Sequence, residues 1–382
     1  MNEAVIIEAV RSPMGRRKGS LRDTRPDDLA AEVIDALLER TGIDPHIVED
    51  LIMGCVTQVG EQGFNVARTS GLISRLPLDV AAVCLNRMCG SGLQAFNFAA
   101  QGIMSGMHDC IISAGVESMT RVPMGSDGSA FSEQLMSKYD IVMQGTSAEL
   151  IAAKWGLSRQ ELDLFSYQSH QKAAKAREEG RFRRETVPVR GVNQAGERYL
   201  FAEDETIRPD TTLEKMASLP PAFKPDGVIT AGNSSQISDG AAAVLVMSAQ
   251  RAKESGLKPR ARFVSSAVAG VDPTLMLTGP IPTTRKALAK AGLTMDDIDI
   301  FEVNEAFAPV VLAWAKELEL SDMSRVNPVG GAISLGHPLG CSGTRLIATL
   351  LHQLEDTGGR YGLITMCIGW GIGIATVIER LP

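Results

Sequence analysis

Short apolar runs alternate with amphipathic stretches along this chain, an order that predicts strands and helices in turn. Residues 5–9 read as an opening strand. Residues 37–44 carry a helical pattern stopped by Gly42, then an acidic turn and a strand-like run ending at Met53-Gly54. A second passage repeats this order: a helix stopped by Gly292, an acidic turn, and a buried run over 300–304. Gly42 to Gly54 and Gly292 to Asn304 are each 12 positions.

The repetition continues downstream. Cys89-Gly90-Ser91-Gly92 has a counterpart in Gly340-Cys341-Ser342-Gly343, lying 50 and 51 positions beyond the two helix-stopping glycines. Each turn opens an apolar helical stretch, 93–104 and 344–354, and each helix precedes a strand, 110–114 and 362–366. The opening strands, 5–9 and 263–267, also match. Two similar halves of alternating strands and helices predict a duplicated α/β fold. The second copy runs from Cys367 through glycines straight into a last strand over 374–378, whereas the first reaches its equivalent at 243–247 only after roughly 120 further residues. The expected organisation is an N-terminal α/β half (1–117 and 239–256), an inserted loop domain (118–238) and a C-terminal α/β half (257–382). The insert contains a helical pattern over 158–177 and a basic run, Arg181-Phe182-Arg183-Arg184, expected to be a solvated helix end.

Composition narrows the function. With 382 residues, 44% hydrophobic and 22% charged, the chain reads as globular with more than one unit. A net charge of −7 argues against a nucleic-acid partner. No run approaches a membrane span, and the beginning and end carry no recognisable address, so a cytoplasmic location is expected. The six cysteines are dispersed, without metal-ligand spacing, and read as reduced thiols; no metal site is expected.

Four residues stand where strand ends meet glycine-rich turns. Cys89 lies between a predicted strand (80–85) and a helix start, where the helix dipole and free N–H groups should lower a thiol's pKa. His337, one of five histidines, sits in a glycine-rich loop before a helix and is a candidate base for that thiol. Cys367 ends a strand beside flexible glycines. Asn304 ends another and can hold a water or cap the following helix. Packing is an alternative for each taken singly; the duplication is what could bring them to one centre.

Taken together, these segments resemble the thiolase family over essentially the whole chain. Cys-Gly-Ser-Gly-Leu-Gln-Ala at 89–95, Asn-Glu-Ala-Phe at 304–307, Gly-His-Pro-Leu-Gly-Cys-Ser-Gly at 336–343 and Cys-Ile-Gly at 367–369 follow the family's order, as does Thr-Ala-Gly-Asn-Ser-Ser at 230–235. The resemblance implies a layered α-β-α-β-α core and is nearest to degradative 3-ketoacyl-CoA thiolases. It implies Cys89 as nucleophile, His337 as its base and Cys367 as acid and base. Oxyanion sites would come from His337 with a water on Asn304, and from the N–H groups of Cys89 and Gly369. By position it assigns Arg208 to the adenine, Ser235 to the pantetheine, and Leu219, Phe223, Ala231, Met276 and Phe307 to apolar tunnel walls. It implies coenzyme A as co-substrate, no tightly bound cofactor, and a homodimer or homotetramer. A multienzyme β-oxidation partner stays open.

This chain departs from the pattern in places. Met143-Gln144 stands where biosynthetic acetoacetyl-CoA thiolases usually have His-Met, which weakens that alternative and marks Met143 as a substrate-side residue. Leu219-Pro220-Pro221-Ala222-Phe223 has proline where arginine is common, and Leu277 replaces a usual glycine. Trp370 and Ile372 replace smaller or more polar residues. Trp370 either packs on a neighbouring element or lines the acyl pocket, and in the second case a substrate bulkier than acetoacetyl-CoA is expected. A decarboxylating ketosynthase is disfavoured by Asn304, where a second histidine would be needed. A non-catalytic acyl-CoA or sterol-CoA binding protein is disfavoured by the presence of all four reactive-type residues.

Overall fold

A computed structural model describes residues 2–382. Its strands are β1 (Ala4–Arg11), β2 (Gly15–Arg16), β3 (Asp50–Gly54), β4 (Ala81–Leu85), β5 (Cys110–Ser118), β6 (Val189–Val192), β7 (Arg198–Phe201), β8 (Ser238–Ser248), β9 (Ala261–Gly270), β10 (Ile300–Val303), β11 (Tyr361–Ile368) and β12 (Ile372–Arg380). Ten of them form one sheet in the order β10-β11-β12-β9-β1-β8-β5-β3-β4, with β2 on β8; β6 and β7 make a separate hairpin. Among the described residues no helix is long and apolar enough to cross a membrane.

The duplication is visible strand by strand. From the centre outward the first half runs β1-β8-β5-β3-β4 and the second β9-β12-β11-β10. In each half two antiparallel pairings are followed by a parallel one, β5 with β3 and β11 with β10. Where β4 would recur, a single parallel bridge joins Phe301 to Val326. The halves meet at two antiparallel pairs, Val5 with Arg262 and Ile6 with Ala261.

Helices explain why β5 and β11 are buried almost throughout: both faces are covered. On one side the Pro26–Thr41 helix packs Leu29, Val33 and Leu37 against the first half, and the Pro280–Ala291 helix covers the second. Glycine in the left-handed region stops both, Gly42 at φ 63° and Gly292 at φ 68°, as predicted. Between the halves lie the Ser91–Ser105 and Leu339–Thr357 helices, which share one core through Leu93, Phe96, Leu346 and Leu350. Their close crossing needs glycine: a Cβ on Gly343 would stand 2.1 Å from the backbone nitrogen of Leu93. The second helix begins at Leu339, five residues before the predicted start, because Pro338 holds an extended turn just ahead of it.

The chain leaves the sheet after Ser118 and returns at Ser238. The excursion carries the Arg159–Glu178 helix, opened by a capping box between Ser158 and Glu161. It is fastened to the first half by fully buried Arg11, which donates to Glu185 at 2.6 Å and to both oxygens of Asp204 at 2.7 and 2.8 Å. The basic run is solvated at Arg183 and Arg184, as expected, but it is not only a free helix end. Phe182 is buried, and Arg184 pairs with Glu355 and Asp356 at the end of the Leu339–Thr357 helix, so the run anchors the excursion to the second half.

Candidate active site

Cys89 sits in the turn between β4 and the Ser91–Ser105 helix. Ser91 braces that turn: its Oγ donates to the Met88 carbonyl at 2.6 Å and accepts the Arg87 N–H at 2.9 Å. The Cys89 sulfur lies within hydrogen-bond reach of its own N–H and that of Gly369, and both favour thiolate. Burial nonetheless dominates and pushes the thiol up to about 11, the charge of Glu117 adding to it. The expected lowering of this pKa is therefore corrected: the N–H of Cys89 and that of Gly369, just after β11, act in the lowering direction, but desolvation is larger.

His337 is set by contacts on three sides. Its backbone N–H donates to Ser238 Oγ at 2.7 Å. Its Nδ1 is 2.6 Å from Ser342 Oγ, and that hydroxyl donates to the Pro338 carbonyl at 2.9 Å. With its one proton committed to Pro338, Ser342 must accept from His337, which places the ring proton on Nδ1. Nε2 is left as an acceptor, and the Asn304 amide nitrogen approaches it at 3.3 Å. Burial, with Arg345 nearby, lowers the His337 pKa to about 3, so the ring is a neutral base. Asn304 follows β10, is fixed by its N–H to the Thr365 carbonyl at 3.0 Å, and leaves its buried Oδ1 without a protein partner.

Cys367 lies on β11 opposite Gly373 and is buried; burial and the adjacent Cys89 thiol hold its pKa well above the usual thiol range. Cys89, His337, Cys367 and Gly369 all open onto one cavity of about 600 Å³. Asn304 stands behind His337, outside the lining. The matching strand ends of the two halves thus converge, as the duplication suggested.

Comparison with known proteins matches residues 4–250 to the thiolase N-terminal domain and residues 257–380 to the thiolase C-terminal domain. The chain belongs to the thiolase family. It is 48% identical over 388 residues, covering all of both chains, to a 3-ketoacyl-CoA thiolase of Pseudoalteromonas translucida. It is 50% identical over 386 residues to one from Hahella chejuensis, covering 99% of this chain and 98% of the relative. The crystal structure of the Bacillus anthracis acetyl-CoA acetyltransferase superposes with a TM-score of 0.92 at 38% identity, covering 100% of this chain and 99% of that one.

In this thiolase the eight residues expected around substrate lie on two adjoining cavities. Met143, Phe223, Ser235, Met276 and Phe307 line the one that holds the cysteines. Arg208, Leu219 and Ala231 line a second, of about 240 Å³, and Gln236 borders both. The rings of Phe223 and Phe307 meet edge to face at 5.9 Å, forming one wall between excursion and second half.

Sequence reasoning passed over three residues that hold the thiolase site together. Glu117, at the end of β5, accepts N–H groups of Val56, Thr57 and Gly340 at 2.9, 3.0 and 2.8 Å and the Gln62 amide at 2.8 Å. It thereby ties the first half to the start of the helix that follows His337. A carboxylate in a strand that is mostly apolar and otherwise uncharged was the available signal. Ser342 and Ser238 gave none, because small hydroxyl residues beside a helix start usually serve as caps.

Proposed function

We propose that this thiolase cleaves 3-ketoacyl-CoA with coenzyme A, giving acetyl-CoA and an acyl-CoA two carbons shorter. The observation that carries the reading is the convergence of two buried thiols, a neutral imidazole with an unprotonated Nε2, and the Gly369 N–H on one apolar cavity. Cys89 gives its proton to His337 Nε2, and its sulfur attacks the 3-keto carbon. The C2–C3 bond then breaks, its electron pair passing to C2, and Cys367 protonates that carbon to release acetyl-CoA. Cys367 next takes the thiol proton of incoming coenzyme A. The resulting thiolate attacks the acyl group on Cys89, which leaves as thiolate and recovers its proton from His337.

Two sites stabilise developing negative charge. The N–H groups of Cys89 and Gly369 serve the carbonyl on the acyl carbon. His337 and a water on Asn304 Oδ1 serve the thioester oxygen of the departing group, a role supported by that oxygen's lack of a protein partner. One such donor contributes about 3–4 kcal/mol of barrier lowering. On this reading Arg208, with Ser235 and the apolar walls, receives the nucleotide and pantetheine of coenzyme A in the excursion. The degradative direction is favoured by the 48–50% identical relatives over the 38% identical acetyltransferase.

At least a homodimer is part of this reading. Among the described residues β4 ends the sheet with no strand beyond it, and Val83 on it is exposed, as are Ile73, Leu78 and Phe98. An open strand edge in apolar surroundings suits pairing with a second copy. A cytoplasmic location is retained. The deciding experiment is coenzyme A-dependent cleavage across a series of 3-ketoacyl-CoA chain lengths, with Cys89→Ala and Cys367→Ala. Loss in both variants is expected; no cleavage by the wild-type protein, with thioesters still bound, would favour a binding protein.

A further inference from the structure

One wall of the 600 Å³ cavity is built from residues that no step above uses. Trp370 directly follows Gly369, whose N–H favours the Cys89 thiolate, and it lines the same cavity as Cys89. The residue is held at φ 70°, in the left-handed region, where a side chain costs about 1–2 kcal/mol over glycine. Gly371, at φ 74°, bears the same conformation without that cost. A tryptophan kept in a strained position beside a reacting centre points to a task for its side chain.

What the indole touches indicates the task. Phe131, from the excursion, meets it edge-on at 5.0 Å and 90°. Neither ring is buried: Trp370 is 36% and Phe131 49% exposed. The same cavity is lined by Met88, Met119 and Met124, flexible thioether chains that mould to apolar ligands of varying shape. Apart from the indole N–H, none of these five side chains offers a hydrogen-bond donor. The wall is made for hydrocarbon.

We infer that Trp370, braced by Phe131, is the specificity-determining wall of the acyl subsite, gripping the alkyl chain of 3-ketoacyl thioesters longer than acetoacetyl. The inference rests on the thiolysis reading. Acetoacetyl-CoA carries only a methyl group beyond its 3-keto carbon, and that methyl stays beside Cys89. A longer chain passes between the two rings and the methionines.

The test is the ratio of kcat/KM for 3-ketooctanoyl-CoA to that for acetoacetyl-CoA. Trp370→Gly, whose backbone tolerates φ 70° and should fold, is expected to lower the ratio roughly tenfold or more. Phe131→Ala should lower it about threefold by unbracing the indole. An unchanged ratio, or a rise because tryptophan was blocking the chain, overturns the inference. A binding arm separates this from failure of thiolysis itself. Octanoyl-CoA and acetyl-CoA are titrated into Cys89→Ala with indole emission followed. Octanoyl-CoA is expected to bind more tightly and to shift the emission, and both effects should vanish when Trp370→Gly is added. Equal binding of the two thioesters overturns the inference whether or not the wild-type protein cleaves anything.

Discussion

Ser342 Oγ lies 2.6 Å from His337 Nδ1 and gives its own proton to the Pro338 carbonyl one helical turn back. The hydroxyl therefore orients the imidazole and selects its tautomer, leaving Nε2 unprotonated and able to take the Cys89 proton. Ser342→Ala should lower kcat/KM roughly 10–100-fold with KM little changed, as loss of a residue supporting a reactive imidazole does elsewhere. Ser342→Thr, which keeps the hydroxyl, should recover most of the loss. Steady-state kinetics on both variants checks this; an alanine variant as active as wild type would remove Ser342 from the mechanism.

The buried Cys89 thiol, pushed up to about 11, is mostly protonated at neutral pH. Inactivation by iodoacetamide should accelerate roughly tenfold per pH unit from pH 7 to 10, following the thiolate fraction. A rate already level by pH 8 would mean that the helix N-terminus and the Gly369 N–H outweigh burial.

His337 has its pKa lowered to about 3, chiefly by burial. Its folded-state pKa lies below the unfolded value of about 6.5, so the unfolded chain binds the proton first as the pH falls. The stability tied to this residue is full above pH 6.5 and is lost progressively toward pH 3. In NMR, the His337 ring resonances should stay flat between pH 8 and 5. A titration midpoint near 6.5 would contradict the neutral-base assignment.

Gly343→Ala should destabilise the fold by about 3 kcal/mol, because its Cβ would stand 2.1 Å from the Leu93 nitrogen where the two central helices cross. Thermal unfolding measures it. A variant within 1 °C of wild type would show that the crossing can relax.

Val83→Lys places a charge on the open edge of β4. If a second copy pairs there, light scattering should find a monomer for the variant and a dimer or larger assembly for the wild type. An unchanged oligomer would move the interface elsewhere.

Much of this was legible in the sequence because a repeat constrains three dimensions. Once Gly42 matched Gly292 and Gly92 matched Gly343, a pseudo-dyad could bring the turns bearing Cys89, Asn304, His337 and Cys367 to one centre. Helix stops at glycine and the Ser158 capping box are local effects, and local sequence suffices for them. The long excursion was visible as a break in the repeat.

Other features depend on residues remote in sequence, and only the tertiary structure decided them. The Cys89 pKa is a contest between nearby N–H donors, which the local sequence reveals, and burial by residues from both halves, which it does not. Glu117 and Gly340 are 223 positions apart and meet because a carboxylate without water must find N–H donors wherever the fold offers them. Arg184 is exposed, as the local sequence suggested, but its acidic partners, Glu355 and Asp356, sit at the far end of the chain and no local pattern names them. Trp370 could be read as packing or as pocket until its positive φ and its contact with Phe131 placed the indole on the cavity wall. Local patterning determined the elements and the residue types capable of the chemistry. Burial and long-range pairing, properties of the assembled fold, determined their protonation, orientation and surroundings.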